Sequence, residues 1–101
     1  MIIRGTTPTH TFTLPINREL CDKVRIIYSQ GDTPIKVEGE RLKFLSDNTV
    51  SCTLTQAETL SLDCAKPCDI QVRILTKDGS APASDIIRKS VGRCLDDEVL
   101  T

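Results

Sequence analysis

Ile, Val and Thr fill 28 of the 101 positions, and most fall in short runs where apolar and polar side chains alternate. Side chains branched at Cβ are stiff at χ1, lose freedom in a helix and suit a pleated, half-buried surface. Alternation with period two is the mark of a strand that buries one face. No long stretch keeps the 3.6-residue period of an amphipathic helix. The chain is therefore expected to be all-β. Its length suits one domain over residues 1–101, large enough to bury a core without covalent staples.

The runs can be placed one by one. Thr9 to Leu14 sets His10, Phe12 and Leu14 on one face between Pro8 and Pro15, which reads as a short edge strand. In the stretch from Asp22 to Gln30, Val24, Ile26 and Tyr28 face one way, and Arg25, Ile27 and Ser29 the other. Gly31-Asp32 predicts a turn, and Thr33 to Val37 a return strand. After a turn at Glu38-Gly39-Glu40, Leu42 and Phe44 share a face. After another at Ser46-Asp47-Asn48, so do Val50, Cys52 and Leu54. Thr55-Gln56-Ala57-Glu58 matches a capping box and predicts one helical turn, with Thr59 and Ser61 poor continuations. Asp69 to Lys77 turns Ile70, Val72 and Ile74 inward and Gln71 and Arg73 outward. A turn at Lys77-Asp78-Gly79-Ser80 leads to a last strand from Ala83 to Val91. There the adjacent Ile86 and Ile87 imply that both faces are covered or that a bulge intervenes. Residues 95–101, with Asp96, Asp97 and Glu98, read as a flexible acidic tail. About seven short antiparallel strands with frequent turns point to a β-sandwich, with a small closed barrel as the alternative.

Several function classes lose support on composition. Thirteen Lys and Arg against fourteen Asp and Glu give a net charge of −1, which speaks against a strongly basic nucleic-acid binder. The chain has no apolar run of about 18 residues to span a membrane, and Met1 to Gly5 do not start a signal peptide. Only three residues are aromatic, and Phe12, Tyr28 and Phe44 all sit at strand-periodic positions. They are expected in the core rather than as stacking platforms for sugars or single-stranded nucleic acid.

Candidate chemistry is sparse. Five cysteines, an odd number at irregular spacing, do not make a disulfide framework. Cys52 shares an inward face with Val50 and Leu54. Cys64 and Cys68 are the only close pair, and sequence leaves open whether they are joined. With Cys21, Cys52 and Cys94 scattered and His10 the sole histidine, no tetrahedral ligand set is apparent, so no metal or cofactor is expected. His10 lacks an accompanying nucleophile motif and reads as a structural residue at a strand start. Ser84-Asp85 and Thr55 to Glu58 are residue types that turns and caps require anyway. Glu38, Glu40 and the 96–98 carboxylates read as solvated rather than as paired acids. Arg88, Lys89 and Arg93 form the densest basic patch, of the kind that keeps a strand edge from pairing. No catalytic residue is expected.

Three segments carry a resemblance. They are Arg4 to Phe12, Lys23 to Gln30, and Leu54 to Leu60 with Ile70 to Thr76 leading into Ala83 to Ile87. Together they resemble small uncharacterised proteins encoded in phages and prophages of Gram-positive gut bacteria, and the N-terminal immunoglobulin-like domain of phage baseplate upper proteins. The resemblance runs from Arg4 to about Leu100, and baseplate upper proteins continue into further domains. It implies an immunoglobulin-like sandwich and a non-enzymatic structural or assembly role, virion-associated and of tail or baseplate type. The implied partners are other phage structural proteins or further copies of the chain, with no nucleic acid and no membrane. The implied location is the bacterial cytoplasm during assembly and then the virion. The other reading is a binding module for a cell-surface glycan or host protein. The outer-face residues Thr11, Thr13, Arg25, Gln71 and Arg73 suit polar interfaces of either kind.

Overall fold

The computed structural model describes residues 1–31 and 33–101, and in them nine strands and one α-helix follow in order. The strands are β1 (Ile2–Ile3), β2 (Thr9–Thr13), β3 (Cys21–Ser29), β4 (Ile35–Glu38), β5 (Leu42–Ser46) and β6 (Thr49–Thr53). Helix α1 (Gln56–Leu60) comes next, then β7 (Cys68–Thr76), β8 (Ile87–Lys89) and β9 (Val91–Gly92). One sheet has the order β2-β6-β5, a second β4-β3-β7-β8, and β1 pairs in parallel with β9. The chain crosses between the two larger sheets from β2 to β3, from β4 to β5 and from β6 to β7. That strand order matches the B-E-D and C′-C-F-G sheets of immunoglobulin-type sandwiches. The two sheets stay separate, which decides for a sandwich over a closed barrel.

The inner faces are those the alternation marks. Val24, Ile26 and Tyr28 of β3, Val37 of β4, and Ile70, Val72 and Ile74 of β7 are buried. They join Phe12 of β2, Val50 and Cys52 of β6 and Leu42 of β5 in one cluster. Leu14, Leu54 and Leu62 extend it beyond the strands. Each such side chain contributes about 1.5–3 kcal/mol by leaving water. Phe44 is only half buried, with the Arg18 guanidinium 4.5 Å from its ring centre. No helix among the described residues is long and apolar enough to cross a membrane.

The last strand departs from expectation. Instead of running from Ala83 to Val91, it divides. Ala83 makes an isolated bridge to Arg73, β8 pairs with β7 over three residues, and beyond Ser90 β9 leaves to join β1. Ile86 and Ile87 are exposed, not covered on both faces: Ile86 precedes β8, and Ile87 opens this edge strand with β7 on one side only. β1 itself was not foreseen, being too short to show a period. The Gly31-Asp32 turn includes Asp32, which lies outside the described residues.

The capping box forms as predicted. Thr55 Oγ1 accepts from the Glu58 N–H, and Glu58 Oε1 accepts from the Thr55 N–H at 2.8 Å. Thr59, an indifferent helix former, is fully buried in this helix. Its hydroxyl donates to the Thr6 carbonyl at 2.8 Å and accepts from the Gly5 N–H at 3.0 Å. Gly5 has φ +80°, so it is the backbone conformation that favours glycine; a Cβ there would meet Cys94 Sγ and Leu60 Cδ2 in ordinary contact at 3.5 Å. In the 95–101 segment, Asp97 accepts from Arg4 at 2.8 Å, and the Gln56 side chain bonds both backbone groups of Leu100.

Candidate interaction surface

The outward positions of the four-stranded sheet follow from its register. Lys36 and Glu38 on β4, Lys23, Arg25 and Ile27 on β3, Asp69, Gln71, Arg73 and Leu75 on β7, and Arg88 on β8 share one face. Five of these side chains are cationic and two are carboxylates, in a chain whose net charge is −1. Two cross-strand ion pairs use up the carboxylates. Arg25 Nε donates to Glu38 Oε2 at 2.9 Å, and Arg88 Nε to Asp69 Oδ1 at 2.8 Å. The Arg25 hydrogen bonds hold the Glu38 carboxyl below its ordinary range, and Arg88 does the same for Asp69.

What remains is uncompensated. Arg73 stands directly opposite Arg25 in the β3–β7 register, and like charges in that relation repel. Arg25 is drawn toward Glu38 on its other side. Among the described residues, Lys23, Lys36 and Arg73 have no ion-pair partner. Beside Arg73 lies a concavity of about 290 Å³ lined by Lys23, Arg25, Glu38, Arg73 and the exposed Leu75. A second, of about 440 Å³, opens on the other side of Arg25 toward Arg18 and Phe44. The surface is cationic and shallow, with two apolar side chains, Ile27 and Leu75, among the charges. Such a surface suits the acidic face of another protein.

Between the sheets lies a polar cluster. His10 Nδ1 is 2.7 Å from the Tyr28 hydroxyl, which is 3.8 Å from Cys52 Sγ. Both His10 and Tyr28 were placed inward by alternation, but their meeting depends on how the sheets stack, which sequence does not show. Desolvation lowers the His10 pKa, helped by the charges of Lys89 and the N-terminus, so the imidazole is neutral at neutral pH. Burial, with Cys52 beside it, drives the Tyr28 phenol far above its usual range. Burial also raises the Cys52 thiol. A thiol held protonated is a poor nucleophile, and the cluster has the chemistry of a neutral tie between two sheets.

The remaining candidates are dispersed. All five cysteines are free. Cys68 is buried, with its thiol raised by that burial and by Asp69, while Cys64 is exposed. Among the described residues no three His, Cys, Asp or Glu side chains come together as metal ligands. The Ser84 hydroxyl accepts from the Val72 N–H at 2.9 Å and serves as an extra rung on β7. Glu40 and Arg93 are exposed, and Lys89 is half buried. Of the residues singled out from sequence, Arg25, Gln71, Arg73 and Arg88 come together on this face, and Thr11 and Thr13 lie on the other sheet. Lys23 and Lys36 were overlooked: alternation along β3 already sets Lys23 beside Arg25, whereas only strand register brings Lys36 to the same face.

No protein-family model matches the chain, and no curated protein matches it either.

Proposed function

We propose that the chain is a non-enzymatic structural or assembly protein of a phage or prophage, of tail or baseplate type, working through protein–protein contacts. Support for the phage setting is the resemblance over Arg4 to Leu100. Support for a contact role is one observation: Arg73 faces Arg25 across the sheet without a counter-ion among the described residues, on a surface with surplus cations. A partner's carboxylate between the two guanidiniums relieves that repulsion, and bidentate pairing gives it geometry. The aromatic rings do not favour the glycan reading. Phe12 and Tyr28 are buried, and Arg18 covers a face of Phe44.

Mass spectrometry of purified virions from an induced host tests the proposal. The protein should be present in proportion to known tail components. Its absence from particles, with the protein abundant in the same lysate, would overturn the virion role.

A further inference from the structure

We propose that the free edge of β2 pairs with the same edge of a second copy, antiparallel about a two-fold axis through Thr11, to make one continuous six-stranded sheet. The register shows which backbone groups are available. Leu14 N–H donates to Asn48 O, and Leu54 N–H donates to Pro8 O, so the residues of β2 that exchange bonds with β6 are the even-numbered ones. The N–H and C=O groups of Thr9, Thr11 and Thr13 therefore point away from β6, and β2 has no other strand partner among the described residues. All three residues are exposed.

The other edges of the two larger sheets carry charge or irregularity along the strand itself, whereas β2 carries neither between its flanking Pro8 and Pro15. β5 carries Lys43 and a register shift between Phe44 and Ser46. β4 presents Lys36 and Glu38 and ends in a 3₁₀ turn at Gly39–Arg41. β8 is three residues long and holds Arg88 and Lys89. These are the devices that keep edges from pairing. β2 reads Thr-His-Thr-Phe-Thr, with no full charge now that His10 is neutral. β1 is committed to β9 and does not extend this sheet.

A second copy fits this edge by symmetry. Antiparallel pairing about Thr11 sets Thr11 against Thr11 and Thr9 against Thr13, each pair exchanging both N–H···O bonds. The threonine side chains then extend a pattern already present on this face, where Thr9 Oγ1 lies 2.7 Å from Thr53 Oγ1 across β2 and β6. Thr–Thr pairs of this kind stabilise neighbouring strands. The interface is small, so association is concentration-dependent and reversible.

The test uses the purified chain, so it is independent of whether particles contain it. Sedimentation equilibrium from micromolar to near-millimolar concentration should show a monomer–dimer equilibrium. Amide exchange at Thr9, Thr11 and Thr13 should slow as dimer forms, while amides on the β4, β5 and β8 edges should not. Thr11→Pro removes the N–H on the axis at a position where the N–H faces solvent in the monomer. It should weaken association roughly tenfold or more. Thr11→Lys, which leaves the backbone unchanged, should do the same by setting like charges together on the axis. A chain that stays monomeric overturns the self-pairing, whether the edge remains bare or takes a strand from another protein. A dimer that survives both substitutions, or forms without protecting those amides, overturns it too.

Discussion

The two sheets share one core but differ on their outer sides. On the four-stranded sheet, two nine-residue strands pair at the centre, and outward residues are charged and cross-linked by Arg25–Glu38 and Asp69–Arg88. On the three-stranded sheet, five-residue strands present Thr9, Thr11, Thr13, Thr49, Ser51 and Thr53, and only β5 brings a charge, at Lys43. A charged face repels a copy of itself and selects a partner of opposite sign. A hydroxyl-covered edge with free backbone groups selects another strand. The two proposed contacts would thus use different parts of one small sandwich, a charged outer face and an uncharged strand edge.

The largest effect should come from testing whether the four-stranded sheet is the rigid half. Ile26 is fully buried on a central strand, and Ile26→Ala should cost about 2–5 kcal/mol in chemical denaturation. Leu42 is 8 % exposed on edge strand β5, where neighbours can close around the gap, so Leu42→Ala should fall at the low end of that range. Equal losses would break the comparison.

Threonines sharpen it at the next scale. Thr59→Val preserves shape but leaves the Gly5 N–H and Thr6 carbonyl without their partner, at a cost of about 1–3 kcal/mol. Thr11→Val alters an exposed hydroxyl and should change monomer stability by no more than about 0.5 kcal/mol. Thermal or chemical unfolding of both variants checks the contrast. A large loss from Thr11→Val would mean that the hydroxyl face supports the monomer fold.

That pair of threonines also shows how far residue pattern reaches. The inward residues of β3 and β7, the turns after β4, β5 and β7, and the Thr55–Glu58 capping box were all legible, since each follows from a period or a local hydrogen bond. β1 and the division of the last strand were not. Two-residue strands have no period, and the exposed Ile86 and Ile87 mimic a covered pair until β8 is seen to start at Ile87 on the sheet edge. The cationic surface was half legible. Arg25 and Arg73 were read as outward, but their direct opposition is a property of register between strands more than forty residues apart. That β2 lies at an edge was legible from Pro8 and Pro15, but which of its residues have free backbone groups depends on register with β6.

The smallest expected effect concerns the tie between the sheets. His10 is the only histidine, and its folded-state pKa lies below the ordinary 6.5 because the site is desolvated and faces Lys89 and the N-terminus. With the folded value depressed, the unfolded chain binds the proton more readily. Stability is therefore complete above pH 6.5 and declines as pH falls from there through the folded pKa. Glu58, Glu38, Asp69 and Asp78 also have lowered values, but those carboxyls start from 4.5 or below, so their losses come in a separate, more acid window. Melting temperature should thus drop in a first step beginning near pH 6.5, and His10→Gln should abolish that step while leaving the acid one. If the first step persists without the imidazole, the neutral His10–Tyr28 contact is not what couples the two sheets to pH.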